Sequence, residues 1–125
     1  MSRIKALEVS EASPKSQQLL GAVKAKIGMT PNMMRTMAQS AAVLEGYLGL
    51  SGALSGGAIS PKLREQIALA VGQANGCHYC LSAHSAIGKM VGLSAEEIAD
   101  SRRATAADPQ TVAALRFAQE LVVSK

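Results

Sequence analysis

Residues 60–92 read SPKLREQIALAVGQANGCHYCLSAHSAIGKMVG, and this stretch establishes the fold class. Ser60-Pro61 is a helix start: a hydroxyl that accepts from a backbone N–H, then a proline whose missing donor costs nothing in the first turn. Leu63, Ile67, Ala70 and Ala74 follow at steps of three and four, along one stripe of a helix. Asn75-Gly76 closes it, since glycine takes the left-handed backbone of a helix end without strain. A second helix is expected from Cys77 to Gly92, after a turn of only a few residues.

The same punctuation recurs outward from this pair. Ser13-Pro14 opens a segment in which Leu19, Leu20, Val23 and Ile27 keep helical spacing as far as Gly28. Thr30-Pro31 repeats the start signal and leads into Met33, Met34 and Met37, which suit adaptable core filling better than the lining of an apolar channel. From Ser40 a further helix carries Ala42, Val43, Leu44, Tyr47, Leu48 and Leu50, and Gly56-Gly57 ends that region. Ser94-Ala95-Glu96-Glu97 has the form of a capping box. Asp108-Pro109 opens the last helix, with Val112, Leu115, Ala118, Leu121 and Val122 on its apolar side. Strand-like alternation, internal repeats and low-complexity linkers are absent. The expectation is one all-α domain over residues 1–125, built from about six helices. The last residues, Val123-Ser124-Lys125, carry no capping glycine or proline. Further chain or a neighbouring subunit is therefore expected over the last helix.

Composition agrees. The 125 residues are 48% hydrophobic, with one Phe, two Tyr and no Trp, so the core relies on Leu, Ile, Val, Ala and Met. So much alanine buries little apolar area per residue, and a homo-oligomer that buries an apolar face between subunits is the expected remedy. The net charge is +4, but Lys15, Lys24, Lys26, Arg35, Lys62 and Arg64 are scattered among apolar residues. Nucleic-acid binding wants a concentrated basic stripe, often with stacking aromatics, and is not expected. With no apolar run of about 18 residues, a membrane span is not expected either. Residues 1–10 carry Arg3, Lys5 and Glu8 and no apolar block, so no secretory signal is read and a cytoplasmic address is expected. Thiols stay reduced there, so two cysteines this close suggest metal or redox chemistry in place of a static staple.

The chemistry concentrates in Cys77-His78-Tyr79-Cys80-Leu81-Ser82-Ala83-His84. At about 100° per residue, Cys77, Cys80 and His84 share a narrow arc of one helical face. The start of a helix favours thiolate over thiol, and His84 lies one turn beyond Cys80, in reach for proton transfer. Cys77 is placed to close a disulfide with Cys80. A zinc site would draw on Cys77, Cys80, His84 and His78, but His78 lies about 100° or more from the others, and the chain has no further Cys or His. Thioredoxin-type chemistry would want a βαβ scaffold. Two small buried hydrophobes and a core histidine remain the structural alternative. Glu65, on the preceding helix, shares a face with Ala68, Leu69 and Gly72. If the two helices run antiparallel, it comes level with His84 and would orient the imidazole; exposure near the helix start is the other reading.

Glu65, eleven residues, Cys77-x-x-Cys80, three residues and His84 resemble the signature of the AhpD-like alkylhydroperoxidases, in the carboxymuconolactone decarboxylase superfamily. The similarity extends to Ala83-His84, Gly88, Gly92-Leu93-Ser94 and the early run Lys26-Ile27-Gly28-Met29-Thr30-Pro31-Asn32-Met33-Met34, which resemble the peroxidase-related branch. The resemblance implies an all-helical domain, assembled as a trimer or a multiple of it, that reduces hydroperoxides. Cys80 would attack the peroxide and Cys77 would resolve the sulfenic acid as a disulfide, with Glu65 and His84 as the proton relay. It implies no resident cofactor or metal, and an external dithiol or lipoylated protein as reductant. Some members carry a histidine just before the second cysteine; here that position is Tyr79, with His78 one place earlier, which implies weaker turnover or another reductant. Relatives continue with further helices past the equivalent of Lys125. The same fold also implies two alternatives, a decarboxylase or lactone-processing enzyme, which needs no redox thiols, and a non-enzymatic oligomer with the disulfide as a switch.

Overall fold

Most helix starts fall where a short polar side chain can take one of the first orphan N–H groups. The computed structural model describes residues 3–124; Met1, Ser2 and Lys125, which enter the reading of the two chain ends, lie outside the described residues. Seven α-helices and no strand occur among the described residues: α1 (Pro14–Ile27), α2 (Asn32–Met37), α3 (Ala41–Ser55), α4 (Pro61–Ala74), α5 (His78–Met90), α6 (Ala95–Arg102) and α7 (Pro109–Val123). The all-α fold expected from the sequence is observed, with seven α-helices where about six were expected. Ser13, Ser40, Ser60, Ser94 and Asp108 each accept a backbone N–H three residues on, as N-caps. Thr30 does not; α2 starts after Pro31 without a side-chain cap.

The chain forms two compact units, Met1–Gly56 and Gly57–Lys125. In the first, α1 packs on α3 and α2 on α3. Its core gathers Ala12, Leu20, Ala38 and Leu44, with Met34 and Met37 packed against them, so two of the three methionines fill core as expected while Met33 is exposed. Ser16 Oγ donates to the Ala38 carbonyl (2.9 Å), satisfying a buried hydroxyl and tying α1 to the end of α2. Arg35 fixes the residues before the first helix, donating to the Leu7 carbonyl at 2.7 Å and pairing with Glu8.

In the second unit α4 is the central helix, packed on α5, α6 and α7. Leu69 meets Leu81, Leu93 and Ile98 on one side. Ala70 meets Ala104 and Leu115 on another, flanked by Leu63 and Ile67. Three helices in a row close with the same motif. The N–H of Cys77 reaches the Gly72 carbonyl (2.9 Å) and that of Gly76 the Gln73 carbonyl (3.1 Å); Leu93/Gly92 and Thr105/Ala104 repeat the pattern at the ends of α5 and α6. The left-handed residue is Gly76 (φ 62°) in the first case and Ala104 (φ 52°) in the last. Alanine pays a steric cost there of about 1–2 kcal/mol, while its methyl is buried beside Ala70 and Leu115. Among the described residues no helix is long and apolar enough to cross a membrane.

Candidate active site

Cys77 does two structural jobs at once. Its N–H completes the closure of α4, and its Sγ accepts the Cys80 N–H (3.2 Å) as the N-cap of α5. The second helix therefore begins at His78, one residue later than the spacing suggested, with Cys77 extended (φ −83°, ψ 91°) just outside it. Folding the sulfur back over the first turn brings it to Cys80, and the two form a disulfide. Both residues are half-buried. The unpaired N–H groups of this helix end favour negative charge on sulfur once the bond is reduced.

The partner helix supplies the floor. A Cβ built on Gly72 would lie 3.3 Å from Cys80 Cβ and 3.5 Å from Leu81 Cδ2, so α4 passes close beneath the disulfide and an added methyl would have to push Cys80 aside by a few tenths of an ångström. One and two turns back along the same face stand Leu69, fully buried, and Glu65. Glu65 Oε2 lies 2.7 Å from His84 Nδ1. Their side chains are 13% and 34% exposed, so the bond is largely shielded from water while the imidazole stays reachable. A carboxylate only accepts, so in this contact Nδ1 carries the proton and Nε2 is the nitrogen left to exchange one.

The structure thus joins Cys77 to Cys80 and Glu65 to His84, all on the α4–α5 pair. His78 and Tyr79 occupy the first two positions of α5 and are exposed; neither takes part in the disulfide or in the Glu65–His84 bond. Sequence reasoning placed Cys77 on the helix face and missed its capping role, because cysteine is not among the residues that ordinarily cap. Gly72 was visible on the Glu65 face, but its closeness to Cys80 depends on how the helices cross. Among the described residues, no three His, Cys, Asp or Glu side chains are grouped to hold a metal ion.

Residues 41–120, which include all four of these side chains, match the carboxymuconolactone decarboxylase family. The chain belongs to that family. None of the curated proteins matches it. Two solved structures resemble it at a TM-score of 0.80. One is an alkylhydroperoxidase AhpD core, an uncharacterized peroxidase-related protein from Ralstonia eutropha JMP134, at 28% identity over 97% of this chain and 66% of that one. The other is an uncharacterized peroxidase-related protein from Silicibacter sp. TM1040, at 25% identity over 97% of this chain and 68% of that one. The chain therefore spans about two thirds of the length of these relatives.

Proposed function

We propose that this family member is a thiol peroxidase that reduces hydroperoxides through a Cys77–Cys80 cycle. The observation that carries this reading is the disulfide at the start of α5, with the Glu65–His84 hydrogen bond one turn further along. The thiolate of Cys80 attacks the outer peroxide oxygen, the O–O bond breaks, and Cys80 becomes a sulfenic acid as the alkoxide leaves. His84 Nε2 takes the thiol proton and returns it to the leaving oxygen, while Glu65 holds the ring at Nδ1. Cys77 then attacks the sulfenic sulfur, forming the disulfide and releasing water. An external dithiol reduces it by exchange and is itself oxidised to a disulfide.

The cycle needs no resident cofactor. A lipoylated protein or another dithiol is the proposed reductant, and a homo-oligomer, a trimer or a multiple of it, the proposed assembly. Tyr79 brings a phenol in place of an imidazole next to Cys80, so turnover is expected to be slow. Decarboxylation, the activity in the family's name, would leave the two thiols unused.

The test is the intact mass of the reduced protein after one equivalent of hydroperoxide, which should fall by one hydrogen per sulfur. Cys80→Ser should abolish peroxide consumption with a dithiol donor, and Cys77→Ser should leave a sulfenic acid on Cys80 that dimedone traps. Normal turnover by Cys80→Ser would overturn the assignment.

A further inference from the structure

The two sulfurs of the disulfide are not equivalent. Cys77 stands just outside α5, in extended backbone, and its Sγ accepts the Cys80 N–H at 3.2 Å. Cys80 stands inside the first turn of α5, and its Sγ accepts no hydrogen bond among the described residues. Exposure does not separate the two, since both residues are half-buried. His84, one turn beyond Cys80, has its Nδ1 committed to Glu65. Among the described residues, the donor already in place at the S–S bond is therefore a backbone N–H, and it is aimed at Cys77.

A sulfur that leaves a disulfide takes the bonding electron pair with it, so negative charge builds on that sulfur as the bond breaks. A donor fixed there beforehand stabilises the charge without reorganising. The Cys80 N–H is such a donor for Cys77, and its hydrogen bond strengthens as the sulfur becomes an anion. It belongs to the helix backbone, so no side-chain rotation removes it. The same bond serves the opposite step, in which a Cys77 thiolate held over the first turn attacks the Cys80 sulfenic acid.

We propose that the Cys80 backbone N–H sets the direction of reduction: Cys77 is the sulfur that leaves, and the external dithiol joins Cys80. This rests on the peroxidase reading only for the source of the disulfide. One thiolate of the reductant attacks Cys80 Sγ, the S–S bond breaks, and Cys77 departs as a thiolate. The second thiolate then attacks the reductant's own sulfur in the mixed disulfide, which closes the reductant's disulfide and releases Cys80. Two electrons pass from the dithiol to the cysteine pair, and the two thiol protons follow to Cys77 and Cys80.

The test uses the full chain with no peroxide present, its disulfide closed by diamide, so that the outcome does not depend on peroxidase activity. 2-Mercaptoethanol, whose single thiol stalls at the mixed disulfide, is added and the reaction is quenched with acid. Free thiols are blocked with N-ethylmaleimide, and tandem mass spectrometry of the tryptic peptide 65–89 locates both labels. At the earliest times, mercaptoethanol on Cys80 with maleimide on Cys77 should exceed the reverse pattern about tenfold, the worth of one hydrogen bond to a charged acceptor. The cationic thiol cysteamine and the anionic thiol mercaptoacetate should give the same pattern. An adduct mainly on Cys77, equal labelling of the two sulfurs, a pattern that reverses with the charge of the thiol, or a protein that diamide leaves unclosed would each overturn the proposal. Adducts on Cys80 in a protein that consumes no peroxide would sink the peroxidase reading and leave this one standing.

Discussion

Helices α3 and α4 are almost equal in length and opposite in character. α3 carries one charged residue, Glu45, and buries only Leu44. α4 carries Lys62, Arg64 and Glu65 and buries Gln66, Leu69, Ala70 and Gly72. The more polar helix is the more buried. Burial follows from neighbours: α4 has three helices around it in its own unit, whereas Val43, Leu50 and Leu54 of α3 stay exposed. Apolar surface is stabilising only when another surface removes it from water, and a face like that of α3 is what the proposed homo-oligomer would cover.

The largest expected effect tests this contrast directly. Leu69→Ala, at a site with 0% exposure, should lower the unfolding free energy by about 2–5 kcal/mol in urea. Leu50→Ala, at 62% exposure, should change it by less than about 0.5 kcal/mol. A comparable loss at Leu50, dependent on protein concentration, would show that α3 is covered in solution and would erase the difference between the helices. Next in size is Gly72→Ala. The added methyl would press on Cys80 Cβ, costing about 1–3 kcal/mol and slowing the proposed peroxide turnover more than Gly49→Ala in α3, where a Cβ meets nothing. The smallest effect belongs to Glu97. Its hydrogen bond from the Ser94 N–H holds its carboxyl below the ordinary range. The capping contribution is therefore complete above the unfolded pKa and lost as pH falls through the lower folded one. Acid titration of the urea midpoint should show this dependence, and Glu97→Gln, which keeps the box without the charge, should remove it.

Much of the fold was legible because helix starts are local. Ser13-Pro14, Ser60-Pro61, Ser94 with Glu97 and Asp108-Pro109 each mark an observed helix within a residue. The misplaced starts have physical reasons. Thr30 does not cap α2, and Cys77 caps α5 through a sulfur where an oxygen is usual. Spacing also put Cys77, Cys80 and His84 forward together, since a face repeats every three or four residues; for Glu65, on another helix, spacing alone leaves exposure near the helix start as open as a place beside His84. Tertiary placement was less legible. Leu121 belongs to the apolar stripe of α7 yet is exposed, and nothing local marks Gln66 as the buried polar residue of its helix. Which face meets which neighbour depends on crossing geometry, and composition carries little of it.

The double use of Cys77 has a consequence for chemistry that breaks and remakes a bond. A cross-link between residues three apart encloses so short a loop that it restricts the unfolded chain less than a long one would. The corner between α4 and α5 is held instead by backbone hydrogen bonds from Cys77 and Gly76, which do not involve the S–S bond. Oxidation state and architecture are thereby insulated from each other: opening the disulfide changes the electron inventory of the corner and leaves its masonry standing.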